Sequence, residues 1–474
     1  MRKFDTTVQM LKYKVLKEVA RNAFEGTLVE SISDIPKSII PGNKASLRCC
    51  VYKERAILSE RVKLAIGGDK RNPNVIEVIN IACDECPAGG YNITSACRGC
   101  IAHQCKEACP KDAIMFDRDQ KAYIDKSKCI ECGLCFKACP YSAIADYKRP
   151  CEKACKAKAI SMGQENEAVI NNDKCVSCGI CIYKCPFGAI MDKSFILNLI
   201  DIIKKSEGNT KYKVYAVVAP AVAGQFTYAS YAQVVSGLKK LGFYKAVEAA
   251  LGADMVAYKE AQELKEKGFL TSSCCPSFVS YIKKHYPDML KHVSENLSPM
   301  ATISKCIKDK DPDAKVIFIG PCTAKKMEIQ LPQVKEYVDC AVTFEELQAL
   351  FDGRGIEIEK LEGQDMEDAS YFGRIFARSG GLAEAVKEAL AEQNSSEFSY
   401  NPISCSGLDS CKAVILKASR KLLTENFVEA MACQGGCVSG AGCIHYGDKN
   451  RRDVDNYAQK AGKNISESIS KTEI

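Results

Sequence analysis

The chain has 474 residues, 46% hydrophobic and 26% charged, with a formal net charge of +7, which is a globular composition with room for two or three domains. No apolar run approaches the roughly 20 residues of a membrane span, so no membrane role is expected. The positive charge lacks the basic-aromatic pattern of a nucleic-acid surface, so no nucleic-acid partner is expected, although a diffuse positive field suits an acidic electron carrier.

Residues 1–25 carry charges throughout and lack the apolar core and cleavage site of a secretory signal, which predicts an amphipathic helix. Residues 1–80 read as an N-terminal helical and mixed segment, with Cys49 and Cys50 as ordinary thiols. Residues 81–195 form a cysteine-rich block of turns and short extended runs, α+β in character. The polar stretch KKSEGNTKYK (204–213) predicts a linker. Residues 210–465 have an α/β texture, with buried strands at VYAVVAP (214–220) and AKVIFIGPC (314–322). Helices are predicted at 258–267, 343–353 and 380–393, and the alternation of strands and helices implies largely parallel sheets.

Of the 28 cysteines, sixteen lie between Cys83 and Cys185. CRGCIAHQCKEACPKDAI (97–114), CIECGLCFKACPYSAI (129–144) and CVSCGICIYKCPFGAI (175–190) repeat one half-ferredoxin unit. CEKACKAKAI (151–160) is the tail of a fourth, and CDEC (83–86) can supply its missing pair. In the run C-x2-C-x2-C-x3-C-P the fourth cysteine ligates the other cluster of a pair. That crossing joins Cys97, Cys100 and Cys105 with Cys139, and Cys129, Cys132 and Cys135 with Cys109. It joins Cys175, Cys178 and Cys181 with Cys155, and Cys83, Cys86 and Cys151 with Cys185. Four [4Fe–4S] clusters use all sixteen thiolates; a structural zinc site at CDEC is the alternative. CxxC strings without a signal peptide point to metal ligation in a reducing cytoplasm rather than to disulfides.

Ten further cysteines follow from Cys274 onward. TSSCCPSF (271–278), GPCTAKKME (320–328) and EAMACQGGCVSGAG (429–442) each set cysteine beside Gly or Pro, where backbone can approach a cofactor closely. Together and in this order they resemble the three active-site signatures of the [FeFe]-hydrogenases, from about Val214 to the end of the third signature. The cysteine-rich block resembles the accessory-cluster region of the same family, and the diverged signatures look more like its clostridial group B branch. Ser277-Phe278, Gly320 and Gln434 stand where the better-known branch has Gly-Trp, Met and Pro.

The resemblance implies an α/β catalytic domain of two lobes around a buried Fe–S/diiron cofactor, preceded by an α+β ferredoxin-like multi-cluster domain. The implied cofactor is an H-cluster, a [4Fe–4S] cubane linked to a diiron unit with CO, cyanide and azadithiolate. Cys275, Cys322 and Cys433 match its cubane ligands, and Cys437 the thiolate shared with the diiron unit. Cys274 matches the free thiol of the proton path, and its ordinary pKa of about 8.5 would let it both give and take protons. Lys325 matches a donor to cyanide, and Glu328 falls in the same signature. Glu260 and Glu263 in EAQEL (260–264) match the path's carboxylates and Ser294 its serine, while Pro220 and Ala221 match packing contacts near the diiron unit. The implied activity is reversible interconversion of protons and H2 with a ferredoxin-like carrier, assisted by hydrogenase maturation proteins. No GxGxxG fingerprint points to a nicotinamide cofactor. The rival readings are a hydrogenase-like Fe–S assembly protein, an H2 sensor with little turnover, and a plain electron carrier.

Overall fold

The computed structural model describes residues 4–87, 89–366, 369–394 and 398–471. Antiparallel strand pairs organise the cysteine-rich block into two nested units. In the first, Tyr91–Ile93 pairs with Ile144–Asp146 and encloses the hairpin of Ile114–Phe116 with Ala122–Ile124. In the second, Ile76–Val78 pairs with Ile190–Asp192 and encloses the hairpin of Ile160–Met162 with Ala168–Ile170. The first unit is therefore inserted into the second between Cys86 and Cys151. This is why CEKAC lacks a leading CxxC: its pair lies on the far side of the insertion.

All four half-units close with one turn. The amide four residues after the last cysteine donates to its sulfur, from Ala113 to Cys109, Ala143 to Cys139, Ala159 to Cys155 and Ala189 to Cys185, at 3.2–3.4 Å. The residue before that amide has positive φ in each case: Asp112, Ser142, Lys158 and Gly188. Three of these are not glycine, so the turn holds them in a sparsely populated region. The turn of Cys155 adopts the same form although no proline follows it.

The α/β part contains two parallel sheets. One has the order Lys245–Glu248, Val214–Val218, Lys315–Ile319, Cys340–Val342. The other has the order Leu270–Thr271, Phe427–Met431, Pro402–Ser406. Val214–Val218 and Phe427–Met431 are buried at every position, as strands covered on both faces must be. The helix Ala249–Lys267 packs against Pro299–Lys310 and Gly381–Glu392. Thr343 caps the expected helix Phe344–Gly353 through a capping box with Glu346.

The segment 1–80 supplies the strand Ile76–Val78 to the cysteine-rich block, and its helix Thr7–Glu25 packs on Phe344–Gly353. Lys12 Nζ lies 2.7 Å from Asp192 and 2.5 Å from Glu345, while Lys326 Nζ lies 2.7 Å from Asp192 and 2.9 Å from Glu346. All five side chains are buried, so each charge depends on its partners. The expected linker is a packed connection. Ile196–Lys205 is a helix, and the Asn209 side chain donates to the Gly242 carbonyl and accepts from the Val214 amide. Among the described residues no helix is long and apolar enough to cross a membrane.

Candidate active site

The carboxyl ends of parallel strands are where open α/β sheets place their ligands, and every cysteine of the three signatures follows such an end. Leu270–Thr271 leads to Cys274 and Cys275, with Cys275 opening the helix Pro276–His285. Lys315–Ile319 leads to Cys322, which opens the helix Thr323–Glu328. Phe427–Met431 leads to Cys433 and Cys437, joined through Gly435 and Gly436 at φ 84° and 99°. A Cβ on Gly436 would stand 2.7 Å from the Ser379 amide nitrogen, so only glycine lets this turn lie against its neighbour.

These loops surround a cavity of about 90 Å³ with an apolar lining that includes Pro220, Met300, Phe318, Phe376 and Met431. Cys274, Cys275, Cys322, Cys433, Cys437 and Lys325 all face it. Pro220 lines it as expected; Ala221 is buried, and Ala219 takes the lining position beside Pro220. Cys437 is the exposed thiol of the group and faces the open space of this cavity.

Burial dominates the electrostatics. It pushes Cys322 to about 11 and Cys437 to about 12, raises Cys275, and drives Cys433 well above the ordinary thiol value. Burial also drives the Cys274 thiol well above its ordinary value, with Glu260 the next largest influence. This corrects the expectation of an ordinary thiol pKa at Cys274, because burial raises it. Burial opposes the charge of Lys325, but Glu328, 2.6 Å away, outweighs it and keeps the ammonium's pKa above the usual lysine value.

The residues expected on the proton path also come together. Glu260 is fully buried, and that burial raises its pKa from 4.5 to about 8, opposed by the Ser273 amide that donates to Oε1 at 3.2 Å. Ser294 neighbours Glu260 and donates to Glu263 Oε2 at 2.8 Å. Glu263 Oε1 accepts from Lys267 Nζ at 2.7 Å, and Lys267 also reaches the exposed Glu295. Ser294 and Glu328 both line a groove of about 1030 Å³ on the outer side.

Accessory cysteines from different half-units lie near one another. Cys135 feels Cys109, Cys129 and Cys132; Cys105 feels Cys100 and Cys139. Cys151 feels Cys185, Cys86 and Cys83, and Cys178 feels Cys175 and Cys155. Cys178 also influences Cys433 and faces the catalytic cavity, so its set adjoins the active site. Thr323 Oγ1 donates to the Ser177 carbonyl at 2.8 Å across the same junction. Among the described residues no three His, Cys, Asp or Glu side chains converge on a single metal ion. A cubane takes its thiolates at separate corners and does not need that tighter convergence.

One site residue went unnoticed in the sequence. Glu429 is fully buried, influences Cys274 and Cys437, and accepts from the amides of Gly380 and Ala383 at 2.7 and 2.9 Å. It ties the helix Gly381–Glu392 to the strand that leads to Cys433. A glutamate inside an otherwise apolar strand is the signal that could have found it.

The family model "Iron only hydrogenase large subunit, C-terminal domain" matches residues 212–441, the stretch that carries all three signatures. The chain is [FeFe]-hydrogenase-like. A 4Fe-4S dicluster model matches the first accessory unit at 96–143, and an Fe-S cluster-binding model matches 145–196. The chain is 29% identical to "Iron hydrogenase 1" of Clostridium pasteurianum over 47% of each chain, so the match spans about half of that relative. It is 28% identical to "Periplasmic [Fe] hydrogenase large subunit" of Nitratidesulfovibrio vulgaris over 51% of this chain and 70% of that one. It is 30% identical to "Cytosolic Fe-S cluster assembly factor NAR1" of Kluyveromyces lactis over 20% of each. The hydrogenase-like domain and the iron–sulfur block thus cover most of the sequence from residue 96 to 441.

Proposed function

We propose that this chain is a ferredoxin-linked [FeFe]-hydrogenase, interconverting H2 with two protons and two electrons at an H-cluster between two lobes, one built on each parallel sheet. One observation carries this reading: Cys275, Cys322, Cys433 and Cys437 meet a fifth, unassigned thiol, Cys274, on one buried cavity, and Cys274 leads into Glu260, Ser294 and Glu263. Four thiols whose burial suppresses ionisation fit a metal cluster, whose positive charge turns them into ligands. When bound, the H-cluster supplies the low-valent iron and bridging amine on which H2 is formed and split.

Cys275, Cys322 and Cys433 would hold the cubane, and Cys437 would hold it and share its thiolate with the diiron unit. Lys325, kept charged by Glu328, offers a fixed donor to an anionic ligand such as cyanide. Pro220, Met300 and Phe376 exclude water from the cavity. Cys274 would hold the exchangeable proton at Sγ and pass it to Glu260; Ser294 and Glu263 would carry it to the surface, where Lys267 and Glu295 lie. The four accessory sets would hold four [4Fe–4S] clusters that carry electrons to a ferredoxin or similar low-potential carrier. Maturation proteins would deliver the diiron unit, and a reducing cytoplasm would suit the thiolates.

The short match to an assembly factor favours a second reading, an Fe–S assembly protein. An assembly protein has less use for a buried Cys274 beside a carboxylate relay. The test is H2 evolution and uptake by the matured chain with a low-potential dye. Activity that disappears in Cys437→Ser supports the hydrogenase; none at full iron content gives the second reading.

A further inference from the structure

The set Cys83, Cys86, Cys151 and Cys185 has surroundings that its three counterparts lack. Three arginines close on its ligand loops. Arg61 is 2% exposed, and its Nη2 donates to the carbonyl of Gly188, three residues after Cys185, at 2.7 Å. Arg149 is also 2% exposed, opens the short helix that carries Cys151, and donates to the Asn166 carbonyl. Arg48 Nη2 donates to the carbonyl of Ala82, next to Cys83, at 3.3 Å, and its guanidinium lies 5.1 Å from the ring centre of Phe187.

These guanidiniums are poorly compensated by protein. Among the described residues only Arg48 reaches carboxylates, Asp84 at 3.8 Å and Glu85 at 3.5 Å. The nearby Glu54 accepts from the amides of Ser46, Leu47 and Arg48. Six buried side-chain nitrogen or oxygen atoms among the described residues have no hydrogen-bond partner, and four belong to this trio: Arg48 Nη1, Arg61 Nε, Arg149 Nε and Arg149 Nη1. Arginine stays charged when buried, so a buried guanidinium with idle donors needs an anion. A cubane with four thiolates is one. The other sets carry lysines on their loops, Lys121 donating to the Cys97 carbonyl and Lys284 to the Cys175 carbonyl, but among the described residues no buried guanidinium with idle donors. Arg149 acts on both Cys83 and Cys86.

Net charge and hydrogen bonds to sulfur are main determinants of cluster potential. Reduction adds one negative charge, which neighbouring cations stabilise. We propose that Arg48, Arg61 and Arg149 form a cationic cage whose counter-ion is the cluster held by Cys83, Cys86, Cys151 and Cys185, and that this cage gives it the highest reduction potential of the accessory relay. Its neighbour is the set of Cys178, since Cys151 acts on Cys181, so the caged cluster lies one step from the set that adjoins the catalytic cavity. It takes one electron from that neighbour, which is re-oxidised; no bond forms, and no proton is needed because the arginines already supply positive charge. The relay thereby has an electron store close to the active site.

The inference rests on the cluster assignment of the proposed function, and the test separates the two. The full chain with its clusters is titrated with reductant and followed by electron paramagnetic resonance, beside Cys151→Ser. The signal lost or altered in Cys151→Ser should be the first to appear as the potential falls. In Arg61→Met and Arg149→Met the same signal should need a lower potential, with at least a tenfold fall in its reduced-to-oxidised ratio, about 59 mV for one electron. Arg61→Lys and Arg149→Lys, which keep a charge, should change that ratio less than tenfold. A wild-type signal that is not the first to appear overturns the cage, as does an unchanged ratio in iron-replete Met variants. Where a Met variant loses iron, the wild-type order of signals decides. If Cys151→Ser loses neither iron nor any signal, the cluster assignment itself fails.

Discussion

Glu260→Gln perturbs the account at its most constrained carboxyl. Glu260 is fully buried and its Oε2 has no hydrogen-bond partner among the described residues, so ionisation there is opposed by burial first and by Glu263 next. A rise from 4.5 to about 8 corresponds to about 5 kcal/mol between the protonation states. The native state keeps this proton where the unfolded chain releases it. The associated stability is therefore fully present below about pH 4.5 and is lost progressively as pH rises towards about 8. Glutamine copies the shape of the neutral acid and cannot ionise. The variant should gain stability relative to wild type as pH rises through this window, by up to about 5 kcal/mol, while proton-coupled turnover falls roughly 10²–10⁴-fold. Denaturation midpoints at pH 5 and pH 8.5 measure the first effect; H2 evolution and uptake across the same range measure the second. A carboxyl infrared band that titrates near pH 8 in wild type should be absent from the variant. A wild-type band titrating near 4.5, or a variant within threefold of wild-type activity at every pH, would refute this reasoning.

Cys274→Ser should keep the metal content and lower turnover by a similar factor, because an alcohol is a far poorer acid than a thiol; near-normal activity would remove Cys274 from the path. Cys437→Ser should retain accessory iron while losing carbonyl and cyanide infrared bands, and an intact set of bands would contradict its bridging role. Asp192→Asn leaves Lys12 and Lys326 each with one carboxylate partner instead of two in a fully buried network. It should destabilise the chain by roughly 3–5 kcal/mol and expose the helix Thr7–Glu25 to limited proteolysis. Wild-type resistance in that variant would show that the network is not what holds the helix.

The parts legible in sequence are those whose chemistry sits in short stretches of chain. CxxC loops and the turn after each fourth cysteine are local, so the half-unit repeat was readable even where Pro was missing after Cys155. The nesting was not, because it depends on Ile76–Val78 finding Ile190–Asp192 across the whole block. Burial is also a tertiary property. The family resemblance implied Cys274 and Glu260 as neighbours in a path, but only packing shows that both are buried, which raises both pKa values. Arg61 and Arg149 are single charged residues in ordinary sequence, and nothing local marks them as buried. The polar stretch at 204–213 misled because its turns are held by Asn209 rather than left in solvent.

The most direct test of the central claim is anaerobic infrared spectroscopy of the fully matured chain, first under argon and then under H2. The account predicts cyanide and CO bands that shift when H2 is admitted. Absence of those bands in protein of complete iron content, or bands that ignore H2, would contradict it.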